Sequence, residues 1–199
     1  RLIVADEMGC VRDGDQILAA LVLDMKANSV LEGPVVGTVM TNLGLERLLK
    51  EHDIEFERAA VGDRYIHERM TETGGILGGE PSGHILLPKL TRSGDGLIAA
   101  LQIMGVMRRT GRKASEIFNQ FTPIPQKLVN LRDIDRAVIA EASLQQIVSD
   151  IESELGDEGR VVLRLSGTEP LIRVMVEAPD NNTLDSAMTK LVNAIEAYR

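Results

Sequence analysis

Residues 160 to 177 read Arg160-Val-Val-Leu-Arg164-Leu-Ser166-Gly167-Thr168-Glu169-Pro170-Leu-Ile-Arg173-Val-Met-Val-Glu177. Two apolar runs rich in β-branched residues flank a short polar turn. Such runs are typical of strands, and a turn this short joins strands that run antiparallel. The stretch therefore predicts two paired strands with an arginine on each side of the turn that connects them.

The polar turn between these strands suits an anion. Ser166 and Thr168 carry hydroxyl donors, and Gly167 allows the backbone to bend so that successive N–H groups point at one position. Arg164 and Arg173 can each donate two hydrogen bonds to phosphate oxygens. The same residue types also form ordinary hairpin turns with solvated arginines nearby. The local pattern leaves both a phosphate site and a plain turn open.

The segments around this stretch predict an α+β domain at the end of the chain. Pro123 and Pro125 exclude a helix in the segment that begins at Phe121 and mark a linker. After it we expect a strand at 126–132, a helix at 136–155 that Gly156 ends, strands at 160–165 and 170–177, and a helix at 184–198. That order is typical of an antiparallel sheet with helices on one face.

Before the linker, helices alternate with strands, which predicts an α/β layered domain with a mixed sheet. Hydrophobic spacing places helices at 16–26, 42–52, 63–73 and 97–109, and strands at 35–40, 54–61 and 76–79. We expect Thr41 to cap the second helix and Asp63 to cap the third. The fourth helix is apolar nearly all round, so we expect it to be buried.

The loop after the third strand carries a carboxylate, a hydroxyl and an imidazole at alternating positions, Glu80, Ser82 and His84. From an extended chain these groups point the same way and suit a polyhydroxylated ligand. Arg64 projects from the first turn of a helix, where the backbone dipoles also favour an anion. A polar surface loop and a solvated arginine explain the same residues, so the pattern alone leaves both interpretations open.

Composition narrows the possible functions of the 199 residues. The formal net charge is −8, tryptophan is absent and aromatic residues make up 3%, which argues against a general nucleic-acid binder. No apolar run reaches the ~18 residues that a membrane helix needs. The one cysteine, Cys10, cannot form an internal disulfide, and we expect it to be semi-buried in a protein of the reducing cytoplasm.

Familiar catalytic motifs are missing from the sequence. It contains no phosphate-binding loop ending in Gly-Lys-Ser/Thr, no paired cysteine ligands and no nucleophile elbow. The three histidines, His52, His67 and His84, do not have the spacing of a metal site. We therefore expect binding groups in this chain but neither a catalytic nucleophile nor a metal.

Taken together, these segments resemble the α-D-phosphohexomutase family over essentially the whole chain. The third domain of that family is an α/β domain with a sugar-recognition loop of Gly-Glu-x-Ser-Gly type, which Glu80 to His84 match. The fourth domain is α+β, related in shape to the TATA-binding-protein fold, and holds an Arg-x-Ser-x-Thr phosphate loop, which Arg164 to Thr168 match. The resemblance implies residues 14–120 for domain three and 126–199 for domain four, with 1–13 as the tail of domain two.

The resemblance also implies roles for the site residues. Glu80 and Ser82 read sugar hydroxyls with His84 nearby, and Arg64 contacts the sugar phosphate or a hydroxyl. The phosphate-binding residues are Arg164, Ser166, Gly167, Thr168 and Arg173. A complete family member has a phosphoserine loop and a magnesium loop, Asp-Gly-Asp-x-Asp-Arg, whose closing arginine aligns with Arg1. This chain is therefore expected to be a C-terminal portion, inactive alone, with the Mg²⁺ ligands upstream of Arg1.

Within the family, residues 166–177, 61–65 and 94–96 look most like the branch that acts on glucosamine phosphates. Pro81 departs from the Gln or Asn expected there, which leaves the sugar less certain. The alternatives are the branch acting on mannose and glucose phosphates and a non-catalytic phosphosugar-binding module. We expect a phosphosugar as partner, neither nucleic acid nor membrane, a monomeric fragment and an intact enzyme that could form a homodimer.

Overall fold

A mixed sheet of four strands organises residues Arg1–Pro123, the first of two units in the computed structural model. The structure describes residues 1–167 and 169–199. The elements of this unit are β1 (Val4–Ala5), β2 (Val11–Arg12), α1 (Gly14–Ala27), β3 (Val35–Thr38), α2 (Leu43–Glu51), β4 (Phe56–Ala59), α3 (Asp63–Thr73), β5 (Gly78–Gly79), β6 (Ile85–Leu86), α4 (Gly96–Thr110) and α5 (Ala114–Phe118).

The strand order of the sheet is β4-β3-β5-β6. Strand β3 pairs parallel with β4 and with β5, whereas β6 runs antiparallel to β5. The predicted mixed α/β layer is therefore confirmed. Helix α1 supplies much of the core, because Ile17, Leu18 and Val22 are fully buried in one cluster with residues of α2 and α4.

Two predicted helix caps are wrong. Asn42 caps α2, and its side chain accepts a hydrogen bond from the Gly44 N–H at 2.9 Å. Thr41 instead closes the preceding turn, where its Oγ1 accepts from the Thr38 N–H at 2.9 Å. Gly62 is the N-cap of α3, so Asp63 becomes the first helical residue and its carboxylate is available for other contacts.

Helix α4 is not buried all round. Ala99, Ile103 and Val106 form the stripe that enters the core. Leu97 is 71% exposed and Met104 is 62% exposed, on a second apolar stripe with Leu101. Both stripes have the same spacing, and packing against α1 selects one of them.

The second unit, Ile124–Arg199, is built on a three-stranded antiparallel sheet in the order β7-β9-β8. Its elements are β7 (Gln126–Arg132), α6 (Ala142–Leu155), β8 (Arg160–Leu165), β9 (Leu171–Glu177) and α7 (Asn181–Glu196). Ile172, Val174 and Val176 alternate along β9 and share one core cluster with residues of α6 and α7. This is the predicted α+β arrangement.

Two further details, one in each unit, differ from the sequence prediction. The helix expected at 136–155 is divided, with a 3-10 helix at Arg136–Ala140 and a new start at α6. In the first unit, Cys10 is exposed rather than semi-buried. None of the helices in the described part of the chain combines the length and the apolar character that crossing a membrane requires.

Candidate functional site

The loop between β5 and β6 brings the predicted sugar-binding side chains together, but by a turn and not by an extended chain. The Glu80 N–H donates to the His84 carbonyl at 2.9 Å, and the Gly83 N–H donates to the Glu80 carbonyl at 3.0 Å. Gly83 has a φ of +86°, and a Cβ there would collide with the Leu2 carbonyl oxygen. Glycine is therefore required for the turn that places Glu80 beside His84.

Glu80 is the buried centre of this loop, with 6% of its surface exposed. One carboxylate oxygen accepts from the Gly62 N–H at 2.7 Å, and the other accepts from the Ser82 hydroxyl at 2.9 Å. Each carboxylate oxygen has two lone pairs, so both can accept a further hydrogen bond from a ligand. These contacts hold the carboxylate in one orientation and tie the loop to the start of α3.

His84 lies between acidic and basic neighbours. Its Nδ1 is 2.9 Å from Asp63 Oδ1 and 3.5 Å from Glu80 Oε2. Its Nε2 accepts a hydrogen bond from Arg1 Nε at 3.1 Å. Asp63 was expected only as a helix cap, and no sequence spacing links it to a histidine 21 positions away.

Asp63, Glu80 and His84 bring potential ligand atoms to within 4.8 Å of one another. Each of these groups also has a protein contact, since Glu80 is held by Gly62 and Ser82 while His84 Nδ1 faces Asp63. The group is thus a network of donors and acceptors that can meet hydroxyl or amino groups of a ligand.

Arg64 does not join this network through any contact the structure gives. Its side chain is 81% exposed, and its Nε donates to Glu68 at 2.7 Å, one helical turn further along α3. That hydrogen bond raises the pKa of Arg64 above its usual value. The guanidinium is therefore held on the outer face of α3.

The predicted phosphate site is organised by strand register. Arg164 of β8 and Arg173 of β9 are directly opposite each other in the sheet. Ile172 and Val174 point into the helix-covered core, so Arg173 and Arg164 lie on the other face of the sheet. Like charges at opposed positions destabilise a sheet, and an anion between them would relieve that repulsion.

The loop after Arg164 is shaped by Ser166. Its N–H donates to the Leu171 carbonyl at 3.0 Å, and its hydroxyl accepts from the Glu169 N–H at 3.2 Å. Gly167 is exposed, with open space where a side chain would be and without a left-handed φ. The bend that Gly167 was expected to allow therefore does not use a left-handed conformation. Thr168 lies outside the described residues.

Sequence reasoning missed two arginines beside this loop. Arg136 donates to the Ser166 carbonyl at 3.3 Å, and Arg132 donates to Glu169 at 2.8 Å. Glu169 also lies 3.5 Å from Arg173. The hydrogen bond from Arg132, together with the charges of Arg132 and Arg173, holds the pKa of Glu169 below its usual range. No excess of basic residues in the sequence around Arg132 and Arg136 signals this cluster.

Comparison with known proteins gives the family. The family model for phosphoglucomutase/phosphomannomutase alpha/beta/alpha domain III matches residues 13–124, and the model for the C-terminal domain matches residues 124–194. The chain therefore belongs to the phosphoglucomutase/phosphomannomutase family, and the resemblance to phosphohexomutases is confirmed.

Curated relatives and solved structures agree with this assignment. The chain is 46% identical to phosphoglucosamine mutase of Methylococcus capsulatus and 47% identical to that of Ruegeria pomeroyi, in each case over 98% of this chain and 44% of the relative. The fold is similar to the crystal structure of an N-acetylglucosamine-phosphate mutase in its product complex, with a TM-score of 0.81 at 17% sequence identity. It is also similar to the crystal structure of Aspergillus fumigatus N-acetylphosphoglucosamine mutase in complex with GlcNAc-6P and magnesium, with a TM-score of 0.80 at 21% sequence identity. Each alignment covers 97–99% of this chain and 46% of the solved chain. The chain thus spans less than half the length of the proteins it matches.

Proposed function

We propose that this chain is the portion of a phosphoglucosamine mutase that binds the sugar and one phosphate of the substrate. The intact enzyme would interconvert glucosamine 6-phosphate and glucosamine 1-phosphate, a step in making amino-sugar precursors. The observation that carries the proposal is the sequence identity of 46% to a phosphoglucosamine mutase over 98% of this chain. The geometry of the two loops supplies the physical support.

The opposed pair Arg164 and Arg173 supports a phosphate site. The Nε of Arg173 is closed off from solvent and has no hydrogen-bond partner among residues 1–167 and 169–199. Burying a charged donor without an acceptor is costly. A phosphate bound at the exposed part of the two guanidinium groups would compensate their charge, with Ser166, Gly167 and Thr168 proposed to complete the cradle.

Glu80, Ser82 and His84 are proposed to bind the sugar hydroxyls, and Arg64 to contact the sugar phosphate or a hydroxyl. A site that must accept a sugar phosphate in two orientations needs contacts that do not depend on which phosphate reacts. Carboxylate and imidazole acceptors can meet hydroxyl donors in either orientation.

In the proposed reaction, the residue that transfers the phosphoryl group is not part of this chain. A phosphoserine in the portion of the protein that this chain does not span would give its phosphoryl group to a sugar monophosphate. The resulting bisphosphate turns over, and its other phosphate returns to the serine. While one phosphate reacts, the arginine pair holds the other, so that the intermediate is oriented for the second transfer.

Magnesium is proposed for the intact enzyme, where it would offset charge on the transferring phosphoryl group. The described residues do not fit Mg²⁺. Asp63, Glu80 and His84 include an imidazole, whereas Mg²⁺ prefers oxygen ligands in octahedral geometry. Glu80 is already held by the Gly62 N–H and the Ser82 hydroxyl. We therefore propose that the Mg²⁺ ligands lie upstream of Arg1.

The remaining expectations form part of the same proposal. Residues 1–13 would be the tail of domain two, 14–120 the sugar-binding domain and 126–199 the phosphate-binding domain. The enzyme would act in the cytoplasm on a phosphosugar, without nucleic acid or membrane as partner. This chain would be monomeric, and the intact enzyme could form a homodimer.

Turnover by the full-length parent protein tests the proposal. It is measured with Mg²⁺ and a bisphosphate activator on glucosamine, glucose and mannose phosphates side by side. Preference for the glucosamine phosphate is the expected result. Preference for glucose or mannose phosphate would assign the chain to another branch of the family. No turnover by a folded protein would favour a non-catalytic phosphosugar-binding module.

A further inference from the structure

The contacts of His84 define which ring nitrogen carries the proton. Arginine has no acceptor atoms, so the hydrogen bond of 3.1 Å from Arg1 Nε requires a lone pair on His84 Nε2. In a neutral imidazole one nitrogen donates and the other accepts. The proton of neutral His84 therefore lies on Nδ1.

The environment of Nδ1 gives the same answer independently. Asp63 Oδ1 lies 2.9 Å from Nδ1. The contact is a close N···O approach only, because Asp63 Oδ1 is closed off from solvent and has no hydrogen-bond partner among the residues that the structure describes. A lone pair on Nδ1 would be repelled by the carboxylate at that distance, whereas an N–H there is attracted, so the charge of Asp63 favours the Nδ1–H form.

Asp63 is better placed for this contact than Glu80. Both oxygens of Glu80 already accept hydrogen bonds, from the Gly62 N–H and the Ser82 hydroxyl, and the nearer one is 3.5 Å from Nδ1. Asp63 is the first residue of α3, where the helix dipole favours a negative charge. Its carboxylate oxygen lies nearer to Nδ1 of the imidazole than either oxygen of Glu80.

We propose that Asp63 is a positioning residue that holds His84 in the Nδ1–H form and presents Nε2 as an acceptor to the ligand. This inference rests on the proposed function and sharpens the class of substrate. The group that meets His84 must be a hydrogen-bond donor, such as a sugar hydroxyl or an amino group, and not a phosphate or ring oxygen. Because the lone pair of Nε2 accepts from Arg1 in this structure, the donor of the ligand would replace the Arg1 guanidinium at that position.

Nuclear magnetic resonance can read the protonated nitrogen without any substrate. Multiple-bond ¹H–¹⁵N spectra of the ¹⁵N-histidine-labelled chain are recorded with EDTA at about pH 8.5, where an ordinary imidazole is neutral. His84 is assigned from the signal lost in His84→Gln. The expected pattern is that of a protonated Nδ1 in the wild type, and a shift toward the Nε2–H form in Asp63→Asn.

Glu72→Gln is the matched control, because Glu72 is an exposed acid on the same helix. It removes the same charge from α3 and should leave the His84 pattern unchanged. A wild-type His84 protonated on Nε2 would overturn the proposal even if no variant folds. So would an Asp63→Asn protein, folded by circular dichroism, whose His84 pattern is that of the wild type.

Kinetics of the full-length parent protein supply the second readout. Loss of the proposed hydrogen bond from the ligand to His84 Nε2 should lower kcat/KM of Asp63→Asn by about tenfold, mainly through KM. Asp63→Glu should recover part of this loss, and Glu72→Gln should match the wild type. If the wild-type enzyme turns over none of the sugar phosphates, the proposed function fails while the spectra still decide the role of Asp63. If it is active but Asp63→Asn has unchanged kcat/KM, the inference fails alone.

Discussion

At the scale of single residues, the paired arginines give the first prediction. Arg164 and Arg173 are opposed in register, so a phosphate between them would accept charge-assisted hydrogen bonds from both. Arg164→Ala should weaken binding of glucosamine 6-phosphate to the full-length protein by about 1.5–3 kcal/mol. Isothermal titration calorimetry measures this change.

Lys127→Ala is the control for the arginine prediction. Lys127 is an exposed cation of the same sheet that pairs with Asp185 at 2.7 Å, so its loss changes net charge equally without touching the phosphate loop. Its affinity should stay near that of the wild type. Unchanged affinity in Arg164→Ala would remove Arg164 from the phosphate site.

Glu169 gives a prediction about pH. The hydrogen bond and charge of Arg132 lower its pKa in the folded state. The ionised Glu169 carboxylate therefore contributes to stability above the pKa of ~4.3 that glutamate has in the unfolded chain. This contribution is lost as the pH falls through the lower pKa of Glu169 in the folded state. Urea unfolding midpoints of wild type and Glu169→Gln, taken from about pH 7 to pH 3, should differ at neutral pH and converge in acid.

Two comparisons check the origin of this pH effect. Added salt should reduce the difference, because the ion pair is partly exposed and is screened. Glu158→Gln removes another exposed glutamate of the same unit and should not reproduce the pattern. A difference between Glu169→Gln and wild type that persists or grows in acid would contradict the assignment to the Arg132 contact.

At the scale of elements, helix α4 shows how packing selects between equivalent stripes. Ile103 is 4% exposed and lies in the core, whereas its neighbour Met104 is 62% exposed. Ile103→Ala should therefore lower the free energy of unfolding by about 2–4 kcal/mol, from lost burial and the cavity left behind. Met104→Ala should change it by less than about 0.5 kcal/mol. Chemical denaturation measures both, and equal costs would contradict the observed orientation of α4.

The same helix shows the limit of prediction from the sequence. Hydrophobic spacing gave the existence and type of most helices and strands, because period is a local property. It could not orient α4, since two stripes satisfy the same spacing and only the facing element distinguishes them. It also placed the cap of α2 one residue early, because Thr41 and Asn42 are both good caps and a turn contact with Thr38 decides between them.

For the candidate site, the sequence likewise predicts the residues that are close together along the chain and misses a contact between distant residues. Glu80, Ser82 and His84 are near in sequence, so one turn brings them together. Asp63 is joined to them only because α3 starts beside the loop between β5 and β6. Long-range proximity of this kind leaves no local pattern in the sequence.

At the scale of the whole molecule, each of the two units has core residues of its own. One cluster is built from residues of the unit Arg1–Pro123 and another from residues of Ile124–Arg199, and they share no residue. Pro123 and Pro125 lie at the boundary between the units in the sequence. Proline interrupts regular backbone hydrogen bonding, so no helix or strand continues across this boundary. We therefore predict that the two units unfold in separable transitions.

A pair of core substitutions tests this independence. Ile103→Ala lies in the first unit, and Leu191→Ala removes a fully buried side chain of the second, at an expected cost of about 2–5 kcal/mol each. Native-state hydrogen exchange follows amides of both units in one sample, so each unit serves as the control for the other. Protection should fall only in the unit that carries the substitution. If both units lose protection together in either variant, they unfold as one cooperative body, and the stability of the loop that follows Arg164 would then depend on the unit Arg1–Pro123.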